Sequence, residues 1–278
     1  MLDVLRRIWR SPSGRLGLVA TLIVVIGGMA APLIATHMPN QIDVAARMSP
    51  PSGSHWLGTD HLGRDLLSRG LFGTRIAIGV ALAVTTTALV LGLLLGVTAA
   101  YAPAPVERAI LALFDIISSF PSLILALALV AVLGPGLVNV IILVTIVFVP
   151  QFGRIARAQT LTVKERSFLE AERALGASGP RIMLFHVLPN IIGPIVVLAS
   201  MNIPVVITLE AGLSFLGVGI RPPLASWGSM LFDGFTYLEQ SIWPVLVAGG
   251  MLTLATLGFT LFGEALRDAI DPKLRREP

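Results

Sequence analysis

The chain has no cysteine, two lysines and four histidines, and only 13% of its 278 residues are charged. Without cysteine there are no disulfides, thiolate metal centres or thiol nucleophiles. The two lysines, Lys164 and Lys273, follow Val163 and Pro272. The Gly-Lys-Ser/Thr of a phosphate-cradling loop is therefore missing, and with it that route to nucleotide hydrolysis in this chain. Scarce charge also removes the broad basic surface of a nucleic-acid binder, despite a formal net charge of +4. His37, His55, His61 and His186 all lie outside the apolar runs. A membrane-embedded enzyme would want histidines and carboxylates clustered within those runs.

Apolar residues are what the chain has: 55% of the sequence, with a mean hydropathy of +0.85. That composition belongs to an integral membrane protein. Crossing a bilayer core takes about 20 helical residues. Six stretches qualify, near Gly17 to Thr36, Ile76 to Ala100, Ile110 to Leu133, Leu137 to Phe152, Ile191 to Leu209 and Ile242 to Phe262. Gly134-Pro135-Gly136 marks a hairpin between the third and fourth. The arginines before the first run could introduce a cleaved signal peptide, but the 20-residue apolar core exceeds the 7–15 residues usual there. An even number of spans places both termini on one side. That side carries fifteen of the twenty Lys and Arg residues, the other only Arg47, Arg64, Arg69, Arg75 and Arg221. The positive-inside rule then makes the termini cytoplasmic.

Between the fourth and fifth runs lies a polar, helix-prone stretch, EAERALGASGPRIMLFHVLPN, Glu170 to Asn190. Thr162 to Gly176 reads as a short helix with Gly176 at a left-handed cap. Glu170 and Arg173 stand at i,i+3, and Pro180 is placed to start a second helix. A solvated loop would share this composition. The spacing, however, resembles the permeases of ABC importers, whose cytoplasmic segment runs Glu-Ala-Ala, three residues, Gly, nine residues, Ile-x-Leu-Pro. Glu170, Ala171, Gly176, Leu188 and Pro189 fall at those places. The chain departs at Glu172, where the pattern has alanine, and at His186, where the pattern has isoleucine.

Three more segments resemble the peptide, oligopeptide and nickel branch of that family, in particular the shorter of its two paired permeases. They are HWLGTDHLGRDLLSR (His55 to Arg69), LSFLGVGIRPPLASWGSML (Leu213 to Leu231) and GEALRDAIDPKLR (Gly263 to Arg275). The resemblance implies an all-α integral membrane protein with about six transmembrane helices, the type-1 (MetI-like) permease fold and a cytoplasmic coupling helix. Residues 1–74 would hold the N-terminal segment, first span and external loop, 75–264 the core transmembrane domain, and 265–278 a cytoplasmic tail. It further implies a bacterial inner-membrane location and a nonenzymatic role. The partners would be a second permease, two ATPases that bind MgATP, and an external substrate-binding protein. The chain itself would bind no cofactor. Glu170, Ala171, Arg173, Gly176, Leu188 and Pro189 would couple to the ATPases.

The remaining site candidates follow from polar residues in costly places. Asp115, Ser118, Asn139, Asn202 and Glu210 are candidates for the translocation path, with Asp115 and Glu210 equally placed to lie near the interfaces. Asp60, Arg64, Asp65, Arg221 and Trp227 are candidates for binding-protein docking, beside the alternative that they brace their loops. His55, His61 and Asp60 make too small a set for a structural metal site, which wants about four ligands. Gly92 and Gly96 predict close packing of the second span. A proton- or sodium-driven transporter using Asp115 or Glu210 is the rival mechanism, but the chain has no convincing internal repeat. Cargo stays open among dipeptide, longer peptide, glutathione-like solute and nickel chelate.

Overall fold

The computed structural model describes residues 2–270, apart from the side chains of Leu2, Asp3, Leu5, Ala171, Arg173 and Pro180. Helix α1, Leu2–Arg10, ends in Arg7 and Arg10 and buries Ile8 against Ala265 and Ala269. Ser11 then caps α2, Pro12–Met29, its Oγ accepting the Gly14 N–H at 3.0 Å. The expected first span thus ends seven residues early, and a short α3, Ala31–Ile34, follows. The break is at Ala30, and Pro32 just past it, in the first turn of α3, has no N–H with which to continue the α2 ladder.

Asp65 caps α4, Leu66–Tyr101, by accepting the Ser68 N–H at 2.8 Å. At 36 residues α4 is about 54 Å long, so it stands well clear of a bilayer core at one or both ends. The expected third span is two helices. Helices α5, Ala104–Ser118, and α6, Ser122–Leu133, meet at 93°. The corner is at Pro121, which lacks an N–H and pushes Phe120 out of helical backbone. Helix α7, Leu137–Lys164, runs twelve residues past the expected end of the fourth span, with Pro150 inside it.

The polar stretch forms α8, Ser167–Ala174, and α9, Gly179–Ile182, which passes through a π-helical turn, Met183–Val187, into α10, Leu188–Phe215. Helix α11, Trp227–Thr236, precedes α12, Trp243–Ile270. Among the described residues five helices are long and apolar enough to cross a membrane, or six spans if the bent α5–α6 pair is one.

Small residues let these helices approach, as they must where lipid offers no hydrophobic drive. Gly92 lies against Val149 and Phe152, and Gly96 against Gly153 and Ala156, which sets α4 and α7 side by side and parallel. The predicted close packing at Gly92 and Gly96 is there, and Gly153 in turn receives the Phe114 ring. Helix α2 runs antiparallel to α12, Gly17 meeting Leu261 and Phe262, and Gly258 meeting Ala20 and Thr21. Helices α4, α7 and α12 all run in one direction. Consequently α1, α8 and the described end of α12 gather at one end of the bundle, while the loop of residues 37–65 and α11 gather at the other.

Candidate functional site

At the α8 end, Lys164 closes α7 by donating from Nζ to the Ala100 carbonyl at 2.8 Å, with the Tyr101 ring 4.8 Å away. The single helix expected over Thr162 to Gly176 is split there, because α7 ends and the Arg166 N–H turns back to the Val163 carbonyl. Helix α8 ends on Gly176 at φ +84°, and the Ala177 N–H donates to the Glu172 carbonyl at 3.0 Å. That six-residue closure is a Schellman cap. A Cβ on Gly176 would meet nothing within 4 Å, so backbone handedness, not crowding, demands glycine there. The expected second helix starts at Gly179, one residue before Pro180.

Leu169 anchors α8 to the bundle by full burial, while Glu170 is exposed. Bare apolar side chains follow in the chain: Leu175 is 84% exposed, and the neighbours Leu184 and Phe185 are 58% and 71% exposed. Glu172 and His186, the two departures from the pattern, face each other with Oε2 and Nε2 3.6 Å apart. The Phe168 ring centroid lies 6.4 Å from that of His186. The π-helical turn carries the Leu188 N–H to the Met183 carbonyl, and the exposed Pro189 follows at the first turn of α10. The side chains of Ala171 and Arg173, and the tail from Asp271 onward, lie outside the described residues.

The opposite end is a buried network of charge. Asp60 (3% exposed), Arg64 (7%), Asp65 (1%) and Trp227 (1%) are all inside. Asp60 Oδ2 takes Arg64 Nε at 2.6 Å and lies 3.4 Å from Arg69 Nε. Arg64 reaches Asp233 of α11 at 3.4 Å, and His61 stands 3.7 Å from the same carboxylate and stacks on Tyr237. Trp227 Nε1 donates to the Gly70 carbonyl at 3.0 Å. Four of the five docking candidates are thus buried in this conformation, where they brace the loop against α4 and α11. Only Arg221 is exposed.

Burial acts to raise the Asp65 carboxyl, but the Ser68 N–H and hydroxyl, His55 and the charge of His37 outweigh it and hold it below the usual 3.8. Burial pushes Asp233 above 3.8 against the pull of His61, Arg64 and Arg69.

The translocation candidates do not converge. Asp115 is exposed and pairs with the exposed Arg154 of α7 at 2.9 Å, Arg154 also donating to Ser118 Oγ at 3.2 Å. Asn139 ties the α6–α7 hairpin, donating to the Leu133 and Gly134 carbonyls. Asn202 donates back to Leu198 on its own helix. Glu210 is fully buried and accepts the hydroxyls of Ser214 (2.7 Å) and Ser226 (2.9 Å), the latter capping α11. Each is used within the fold. The pairing of Arg157 with Glu107, and the parts played by His37, Asp233 and Tyr237, have no local spacing signal in the sequence.

Residues 88–276 match the family model described as binding-protein-dependent transport system inner membrane component. The dipeptide transport system permease of Alkalihalophilus pseudofirmus is 38% identical over 93% of this chain and 85% of its own length. A putative peptide transport system permease of Brucella abortus is 39% identical over 98% of this chain and 92% of its own. Among solved structures, the MetNI methionine ABC transporter in an inward-facing conformation superposes with a TM-score of 0.60 over 74% of this chain and 96% of that chain. At 20% identity that likeness concerns the fold.

Proposed function

The chain belongs to the family of binding-protein-dependent transport system inner membrane components, and from that premise we propose that it forms half of the translocation path of an ATP-driven importer for peptides. The other half would come from a second permease, and hydrolysis of MgATP from two partner subunits, one of them seated on α8. The observation that carries this reading is the capped eight-residue helix, held by Leu169, carrying exposed Glu170 and followed in the chain by exposed Leu175 and Phe185. Bare apolar groups beside a charged helix are costly at a membrane–water boundary unless another protein covers them. A rigid lever with different contacts in two states is also what couples two equilibria.

The α8 end is taken as cytoplasmic, because Arg154, Arg157, Lys164 and Arg166 accompany α1 and its arginines there. The exposed Arg154–Asp115 pair and Gln151 mark the flank of α7 and α5 that would face the second permease or the solute, since unshielded charge does not face lipid. Peptide cargo rests on the names of the relatives. A gradient-driven mechanism is disfavoured because Glu210 is spent on two serine hydroxyls and Asp115 on Arg154.

Co-purification from native membrane in mild detergent tests this reading. The wild-type chain is expected to bring down a second permease and ATPases. Glu170→Ala combined with Gly176→Arg is expected to lose the ATPases and keep the permease. A wild-type chain that purifies alone and still transports would overturn the importer reading.

A further inference from the structure

The geometry points to a binding site for a divalent transition-metal ion of the zinc–nickel kind, formed by His37, His55 and Asp65 at the end of the bundle opposite α8. The three residues come from the start of the long loop just after α3, the middle of that loop and the cap of α4, and the fold brings their ligand atoms within 4.8 Å of one another. His55 Nδ1 is 3.0 Å from Asp65 Oδ1, and His37 Nδ1 is 3.8 Å from the same oxygen. With metal–ligand bonds near 2.1 Å, tetrahedral ligands sit about 3.4 Å apart. The two separations straddle that value, so a small adjustment of the more exposed His37 closes the set.

The carboxylate is already oriented for the task. Its Oδ2 accepts the Ser68 N–H and hydroxyl, both at 2.8 Å, and the Thr36 hydroxyl at 3.3 Å, leaving Oδ1 to His55, while His37 Nδ1 pairs with the Thr36 hydroxyl at 3.0 Å and would exchange that partner for the ion. Such outer partners fix a ligating oxygen in place. The imidazoles stack at 4.5 Å between centroids with 26° between their planes, so the His37 ring must turn for both planes to meet at the ion. A small polar cavity, lined further by Gln41, Asp43 and Gly63, adjoins them and leaves room for a fourth ligand or a water. Two imidazoles and one carboxylate favour zinc or nickel over magnesium or calcium, which prefer oxygen shells. His61 is excluded, because it turns away to Asp233 and Tyr237.

A bound ion would tie the first span to the start of α4. The site lies at the end of the bundle opposite α8, so it does not depend on the coupling role proposed above.

The test uses the full chain, purified in detergent with a histidine-free tag, stripped with chelator, equilibrated with Zn2+ and desalted. Metal analysis is expected to give about one zinc per wild-type chain. His37→Gln, at a partly exposed position that tolerates an amide, should bind roughly tenfold or more weakly, and His61→Gln should bind as wild type does. Cobalt substituted into the wild-type chain should show the visible absorption of a low-coordinate site with imidazole ligands. The proposal falls if wild type retains no zinc, if His37→Gln retains it fully, if His61→Gln loses it equally, or if excess Mg2+ displaces it.

Discussion

Asp65 does several jobs with one carboxylate: it caps α4, receives His55 and holds Thr36. Because its folded pKa lies below the ordinary 3.8, its contribution to stability is present above that value and is lost as pH falls through the lower, folded one. Asp233 has the opposite sign. Its folded pKa is raised, so ionising it on the way up through that value works against the fold. The thermal midpoint of the purified chain should therefore fall on acidification below about pH 4. Asp65→Asn should lower the midpoint at neutral pH and flatten that acid limb. A limb unchanged by Asp65→Asn would show that other carboxylates carry it. Glu210 makes a second case. Glu210→Leu strips the acceptor from two buried serine hydroxyls and should cost about 1–3 kcal/mol in detergent unfolding. Glu210→Gln should cost less and should leave transport intact. Lost transport in a stable Glu210→Gln chain would mark it as a coupling acid. The presence of these acids was legible in the sequence, but their partners were not, because Ser226 lies sixteen residues on and Asp233 pairs with Arg64 across 169 positions.

Elements were legible where a local rule governed them. Apolar runs located the spans, the Gly176 cap stopped α8, and the small residues at 92 and 96 told of a close neighbour. Boundaries were less so. The apolar character that runs from Ile110 to Leu133 on both sides of Pro121 hid the corner there, and hydropathy cannot see the extra length of α4 and α7 once charge returns. Two predictions belong to this scale. Gly96→Val, which would drive a side chain into Gly153 and Ala156, should destabilise by about 1–3 kcal/mol. Gly79→Ala, open on all sides, should be neutral or stabilising by about 0.5–1 kcal/mol. Equal effects on the thermal midpoint would contradict the α4–α7 contact. At α8, Glu172→Ala or His186→Ile alone should weaken coupling of ATP hydrolysis to transport, and the pair together should recover it, because each departure answers the other at 3.6 Å. Additive losses would show that the two act independently.

At the scale of the whole molecule, the bundle has two ends built on different principles. One is locked: buried carboxylates and guanidinium groups fasten the long loop to α4 and α11. The other is open: a small capped helix, a π-helical turn and bare leucine and phenylalanine side chains stand where a partner would cover them. Among the described residues, the polar side chains named in the spans do not gather into one pore. The docking candidates in the loop read as surface in sequence because charge and glycine favour turns, and only the fold shows that they neutralise one another inside. The central claim is that α8 carries force from ATP hydrolysis to the spans. Its most direct test is cargo-stimulated ATP hydrolysis by the assembled transporter in lipid nanodiscs, wild type against Glu170→Ala combined with Gly176→Arg. Stimulation is expected to be lost while the spans stay folded and paired with the second permease. Full stimulation in the double variant would contradict that claim.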